Sequence, residues 1–84
     1  MDKIHILRAQ IDKIDEKINK LLEKRKEKSL KIGQIKIKTN VKITDKTREK
    51  AILDKLVDSY SKNIFKKIIS ESKKLQKSHQ KKLT

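Results

Sequence analysis

Three arginines stand out in a chain that otherwise carries its positive charge on lysine. Arg8, Arg25 and Arg48 are the only arginines among 25 basic residues. A guanidinium group is a planar fork that binds a carboxylate through two parallel hydrogen bonds, whereas the lysine ammonium is a hydrated point charge on a flexible stem. The three arginines therefore indicate sites that hold an anion, such as a carboxylate, in a fixed orientation.

Arg25 and Lys36 form a candidate anion-binding pair. They are eleven residues apart, so on a helix they project from nearly the same face, with a rise of about 16 Å between their Cα atoms. Gly33 lies between them, and a glycine inside a helix costs about 1 kcal/mol relative to alanine, which suggests that another group approaches closely there. On spacing alone, an Arg25 side chain that extends to solvent and a Gly33 that packs against another helix explain the pattern equally well.

Two further polar groups lie on otherwise apolar helix faces. Asp45, Arg48 and Glu49 occupy positions i, i+3 and i+4 of a predicted second helix, where capping and a local charge cluster explain them without a ligand. Ser72 and Gln76 are four residues apart on a predicted third helix, and a buried hydroxyl and amide need hydrogen-bond partners. Taken singly, each group is explained better by a structural role in capping or hydrogen bonding than by the binding of a ligand.

The apolar pattern predicts an all-α chain of three helices with a very long first helix. Apolar residues alternate at steps of three and four from Ile4 to Leu21, and the same register continues through Arg25 to Ile35, which is the spacing of a helical seam. We predict a single domain over 1–84, with helices at about 2–38, 45–58 and 62–80.

The length of the first predicted helix implies a partner. A helix over 2–38 spans on the order of 50 Å, and two shorter helices cannot cover its apolar stripe along that length. A second copy of the chain is the simplest partner that could bury this stripe. We therefore expect an intertwined, domain-swapped-like homodimer.

The composition limits the partners and the chemistry. The formal net charge of +14 implies an anionic partner, and a nucleic acid, a membrane surface and a small carboxylate all fit that charge. No apolar run approaches the roughly 20 residues that span a bilayer, and nothing resembles a signal peptide, so we expect a soluble, cytoplasmic protein. With no cysteine and two widely separated histidines, the chain has no pattern typical of a metal site or a thiolate nucleophile.

An ordered series of residue types and spacings connects the polar groups: Leu7-Arg8, Ile11-Asp12, Ile14-Asp15, Leu21-Leu22, Arg25, Ile32-Gly33, Lys36, Asp45-x-x-Arg48-Glu49, Ile68-Ile69-x-x-Ser72 and Gln76. In that order, from residue 7 to residue 76, they resemble the all-helical chorismate mutase family. The resemblance implies a homodimeric isomerase that converts chorismate to prephenate in the synthesis of phenylalanine and tyrosine, without cofactor or metal.

The resemblance also implies roles for individual side chains at two equivalent sites of an intertwined dimer. Arg8 of the partner chain and Arg25 would bind the two carboxylates of chorismate. Lys36 and Gln76 would lie at the ether oxygen of the breaking bond, and Glu49, with the backbone near Asp45, would bind the ring hydroxyl. Arg48 and Ser72 would complete the polar wall of the site, and Ile32 and Ile69 would be apolar lining residues.

Two features depart from the family pattern. The stretch 59–63, which joins the second and third predicted helices, is shorter than in many relatives, and Lys73 stands where relatives often have an apolar residue. Either departure could change packing or the closure of the pocket, but neither touches the matched polar positions. We expect no room in 84 residues for a fused prephenate dehydratase, dehydrogenase or regulatory domain.

Three other functions fit parts of the sequence. An isochorismate-pyruvate lyase has the same fold, but those relatives tend to lose the acidic residue that corresponds to Glu49. A basic helical module that binds nucleic acid fits the net charge, yet such surfaces usually use arginine and stacking aromatics, and both are scarce here. A coiled-coil scaffold leaves Arg25 in the seam unexplained. We therefore expect a mutase that binds neither nucleic acid nor membrane.

Overall fold

Three helices make up the part of the chain that the structure describes. The computed structural model describes the backbone of residues 2–83 and the side chains of residues 2–78. In chain order the helices are α1 (Lys3–Lys38), α2 (Lys46–Asp54) and α3 (Ser59–Leu83). The predicted all-α class and the very long first helix are therefore confirmed. No helix within the described residues carries an apolar stretch long enough to cross a membrane.

Local hydrogen bonds define both ends of α1. The Asp2 carboxylate accepts a hydrogen bond of 2.9 Å from the backbone N–H of His5, and this bond lowers the pKa of Asp2. At the other end, Asn40 has a φ of 58°, a left-handed conformation that asparagine tolerates better than most residues. The chain turns there, and Val41 N–H donates to the Lys36 carbonyl at 2.8 Å. α1 thus ends where the loop toward α2 must begin.

The two shorter helices differ in extent from the prediction. α2 ends at Asp54 rather than near residue 58, because Leu56 N–H bonds the Leu53 carbonyl at 3.1 Å in a tightened last turn. Asp58 is instead the cap of α3, since its carboxylate accepts from Ser61 N–H at 2.9 Å. α3 consequently begins at Ser59 rather than 62, and it continues to Leu83 rather than 80.

A close contact between α1 and α3 holds the fold together. Gln76 donates from Nε2 to the Ser29 carbonyl at 2.9 Å and to Ser29 Oγ at 3.0 Å, and both residues are only 7% exposed. A Cβ atom at Gly33 would lie 2.8 Å from Gln76 Cγ, so only glycine permits this approach. Arg25 contacts Ser72 on the same pair of helices. Because 25 pairs with 72 and 29 with 76, α1 and α3 run parallel.

Much of α1 extends away from the other helices. Every residue from 2 to 24 is exposed. The apolar seam of this segment is 48–63% exposed at Ile4, Leu7, Ile11, Ile14, Ile18 and Leu21. Within the described residues, Ile69 is the buried hydrophobic side chain. A contiguous apolar stripe of this kind marks an interaction surface, because soluble monomers rarely expose one.

Replacement of Gly33 by alanine tests the contact between α1 and α3. Helix propensity favours alanine by about 1 kcal/mol, but the added methyl group would meet Gln76 Cγ at 2.8 Å. We expect the destabilisation by overpacking to exceed the gain in helix propensity, so that the free energy of unfolding falls by about 1–3 kcal/mol. Denaturant unfolding at fixed protein concentration measures it. Gln34→Ala, at the exposed neighbouring position, is the matched control, and an equal effect of both variants would contradict the prediction.

Replacement of Asp58 by alanine tests the start of α3. The backbone N–H of Ser61 holds the pKa of Asp58 below its usual value of 3.8. A carboxylate with a lowered pKa stabilises the folded state above its unfolded pKa, and that contribution is lost as the pH falls through the folded pKa. Asp58→Ala should therefore lower the melting temperature at neutral pH, and the difference should shrink in acid. Asp54→Ala, which removes a carboxylate from the end of α2, should not reproduce this pattern.

Candidate active site

A pocket of about 260 Å³ lies where the three helices and the loop between α1 and α2 meet. α1 contributes one helix face, with residues at steps of three and four: Arg25, Lys28, Ser29, Ile32 and Lys36. The loop and α2 contribute Ile43, Asp45, Arg48, Glu49 and Ile52, and α3 contributes Ile69, Ser72, Lys73 and Gln76. The pocket therefore has apolar side chains among a majority of polar ones.

The guanidinium group of Arg25 is held in a fixed position. Its Nη1 donates to Ser72 Oγ at 2.6 Å, and Ser72 Oγ in turn donates to the Ile68 carbonyl one turn earlier at 2.8 Å. A guanidinium group has five N–H donors, so one bond to Ser72 leaves donors for an anion. Ser72 thus orients Arg25.

The Lys36 ammonium is tied to the loop that closes one side of the pocket. Its Nζ donates to the Ile43 carbonyl at 3.0 Å. An ammonium group has three donors, so two hydrogens remain for other acceptors. The same bond draws the loop across the end of the α1 face, which explains why Ile43 lines the pocket.

Glu49 is positioned by helix capping and by an ion pair. Asp45 caps α2, because its carboxylate accepts from Arg48 N–H at 3.0 Å, and this places Glu49 in the first turn. Lys73 Nζ lies 3.3 Å from Glu49 Oε1 and 3.4 Å from Oε2. The ion pair links α2 to α3 across the pocket wall.

The charge of the pocket is strongly positive. The cationic lining residues are Arg25, Lys28, Lys36, Arg48 and Lys73, against the carboxylates Asp45 and Glu49. Both carboxylates already have partners, in the cap of α2 and in the ion pair with Lys73. A cationic pocket with oriented donors attracts and orients a small anion that carries more than one negative charge.

The structure brings most of the predicted site residues together. The lining includes Arg25, Lys36, Glu49, Gln76, Asp45, Arg48, Ser72, Ile32 and Ile69. Arg8 lies on the exposed segment of α1, 17 residues before Arg25 and thus about 26 Å away along the helix. Within its own chain, Arg8 therefore lies far from this pocket.

Five lining residues were not predicted as site residues: Lys28, Ser29, Ile43, Ile52 and Lys73. Helical spacing could have indicated four of them. Lys28 and Ser29 follow Arg25 by three and four residues, Ile52 follows Arg48 by four, and Lys73 follows Ile69 by four, so each shares a helix face with a predicted residue. Ile43 lies in a loop, where no periodicity applies.

No metal site accompanies the pocket within the described side chains. Among residues 2–78, no three aspartate, glutamate or histidine side chains lie close enough together to hold a metal ion. His79 lies outside the side chains that the structure describes.

Comparison with known proteins places these observations in a family. Residues 7–77 match the family described as chorismate mutase type II. The chain is 33% identical over 88 residues to a chorismate mutase from Methanocaldococcus jannaschii, covering 94% of this chain and 89% of that protein. It is 42% identical over 81 residues to a bifunctional chorismate mutase/prephenate dehydratase from Buchnera aphidicola, covering 86% of this chain. It spans 21% of the length of that bifunctional relative.

A solved structure agrees with the sequence comparison. A conserved hypothetical protein from Pyrococcus furiosus superimposes with a TM-score of 0.82 at 39% sequence identity. The match covers 90% of this chain and 97% of the other. The three-helix fold and the matched positions together show that the chain belongs to the type II chorismate mutase family.

Proposed function

We propose that the protein is a chorismate mutase, an isomerase that rearranges chorismate to prephenate in the synthesis of phenylalanine and tyrosine. One observation supports this most strongly: each of the three helices contributes cations to a single pocket in a chain of this family. The resemblance further leads us to propose a cytoplasmic enzyme.

The reaction suits these residue types. The conversion of chorismate to prephenate is a pericyclic rearrangement of one substrate, so the chemistry needs no nucleophile, cofactor or general base. It requires a flexible dianion to be held in its compact, reactive conformation, which oriented carboxylate-binding groups provide. It also requires hydrogen-bond donors at the ether oxygen, where negative charge develops as the C–O bond breaks.

We assign Arg25 to one substrate carboxylate and Lys36 to the ether oxygen. The bond from Arg25 to Ser72 fixes the guanidinium group before the substrate binds. The side chain therefore loses little conformational entropy on binding. Lys36 has two N–H donors beyond its bond to the Ile43 carbonyl. Glu49 accepts a hydrogen bond from the ring hydroxyl, and Arg48 adds a further positive charge to the pocket wall.

Gln76 acts at the ether oxygen only after an exchange of partners. Its amide nitrogen already donates to the Ser29 carbonyl at 2.9 Å and to Ser29 Oγ at 3.0 Å. The carbonyl bond identifies the group at Ser29 as the nitrogen of the amide, because two carbonyl oxygens cannot bond each other. We propose that the substrate ether oxygen replaces Ser29 Oγ while the bond to the Ser29 carbonyl keeps the amide in place.

We propose further that the active enzyme is an intertwined homodimer. The exposed apolar stripe on residues 4–21 of α1 is the surface that a second copy would cover. Arg8 lies on the same segment, so a partner seated there would bring its own Arg8 toward this chain's pocket. Arg8 of the partner would then bind the second substrate carboxylate.

The isochorismate-pyruvate lyase remains the second candidate, because it has the same fold. Glu49 favours the mutase, since it lines the pocket and lyases of this fold tend to lose the acidic residue at that position. Incubation of the purified protein with chorismate and with isochorismate, followed by identification of prephenate or pyruvate, distinguishes the two. Conversion of isochorismate alone would assign the lyase.

Replacement of Lys36 by methionine tests the assignment to the ether oxygen. Removal of one donor to a developing oxyanion lowers kcat by roughly 100-fold or more, and we expect that loss here with little change in folding. Chorismate consumption is followed by absorbance, and circular dichroism checks the fold. Lys38→Met, two residues away on the exposed face, is the matched control and should retain full activity. Wild-type turnover in Lys36→Met would refute the assignment.

A mixture of two inactive variants tests the shared site. Arg8→Ala and Arg25→Ala should each be inactive alone. In a heterodimer of the two, one site keeps both arginines and the other loses both, so statistical exchange should restore about a quarter of wild-type activity. Mass spectrometry of differently tagged chains measures the exchange. Proven exchange without recovery would contradict the proposal that Arg8 acts across the dimer.

A further inference from the structure

Lys73 has no role in the proposed reaction, yet it lies in the wall of the pocket. It shares one face of α3 with Ile69, four residues earlier, and Gln76, three residues later, and all three line the pocket. Its side chain is 30% exposed, so a large part of it is removed from solvent. A half-buried cation beside a site for an anion calls for an explanation, because lysine is rarely buried without a partner.

The partner of Lys73 is Glu49. The ammonium lies almost equally far from the two carboxylate oxygens, at 3.3 and 3.4 Å. The Glu49 side chain is 26% exposed. The other ion pairs among the described side chains join residues three or four apart in sequence. This pair instead joins α2 to α3, so it fixes a side chain of one helix relative to the other.

We infer that Lys73 is a positioning residue for Glu49 and thereby a determinant of substrate affinity. This inference rests on the proposed function. The Lys73 ammonium occupies one hydrogen-bond acceptor site on each carboxylate oxygen, and a carboxylate has about four such sites in all. Glu49 is therefore held in place but can still accept a hydrogen bond from a substrate hydroxyl.

Lys73 also solves an electrostatic problem at this wall. A carboxylate that lines a pocket for a dianion repels that dianion, and the repulsion grows as water is excluded. The ammonium of Lys73 compensates the charge of Glu49 at about 3.3 Å. The dianion can then approach the hydroxyl acceptor without facing a net negative wall.

The expected kinetic effect of Lys73 is on KM. The ring hydroxyl is not part of the breaking bond, so its contact with Glu49 has the same strength in the substrate and in the transition state. Loss of such uniform binding raises KM and leaves kcat unchanged. Lys73→Met should therefore raise KM by about tenfold, the value of one hydrogen bond to a charged group, with kcat close to that of the wild type.

The decisive experiment compares chorismate with an analogue that carries hydrogen in place of the ring hydroxyl. If Lys73 acts on the hydroxyl through Glu49, Lys73→Met should raise the KM for chorismate much more than the KM for the analogue. Lys73→Arg keeps the positive charge and should restore most of the affinity. Lys74→Met is the matched control, because Lys74 pairs with Glu71 on the exposed surface, and it should leave both constants unchanged.

The outcomes separate this inference from the proposed function. An unchanged KM in Lys73→Met would overturn the role of Lys73. An equal rise for both substrates would overturn its positioning of Glu49, because loss of charge compensation alone raises the KM of both dianions equally. In either case wild-type turnover of chorismate leaves the proposed function intact. If the wild-type protein does not convert chorismate, both fail together. If Lys73→Met does not fold, Lys73→Gln removes the charge with a polar side chain and the same comparison decides.

Discussion

The close approach of α1 and α3 at Gly33 is the constraint on which the rest of the structure depends. A glycine at this position lets the Gln76 side chain lie against the α1 backbone, where its amide nitrogen donates to both oxygen atoms of Ser29. A buried amide is costly unless its hydrogen bonds are made. The contact therefore sets both the spacing and the axial register of two parallel helices.

That register brings the cations of the pocket together. With Ser29 opposite Gln76, Arg25 lies opposite Ser72, one turn earlier on both helices. α2 is then joined to α3 through the pair of Glu49 and Lys73. Arg25, Lys36 and Glu49 are each held by a residue outside their own helix, so this part of the geometry exists before an anion binds. Such preorganisation is what a reaction without covalent catalysis requires.

The described fold buries little apolar surface within one chain. Ile69 is its buried hydrophobic residue, whereas the seam of α1 over residues 4–21 is about half exposed. Hydrophobic burial is the dominant favourable term in folding, so a partner that covered α1 would add to the stability of this chain. The dimer that we propose would supply both that burial and the missing Arg8, and would thus link folding to the completion of the site.

Part of the site could be predicted from the sequence because helical periodicity is a local property. The spacing of Arg25 and Lys36 on one face follows from 3.6 residues per turn, and both line the pocket. The end of α2 and the start of α3 are harder to predict from the sequence, because Asp58 could extend one helix or cap the next. Its hydrogen bond with Ser61 N–H decides between the two. Lys73 was seen only as a departure from the family pattern, since nothing local indicates its partner.

The sequence by itself determined three helices, the unusual length of the first, the excess of positive charge and the polar residues on each inward face. Only the tertiary structure decided which of these residues meet. Ser29 and Gln76 are 47 residues apart, as are Arg25 and Ser72, and Glu49 and Lys73 are 24 apart. Contacts over such separations depend on how helices pack, and one glycine that admits a glutamine side chain sets that packing here.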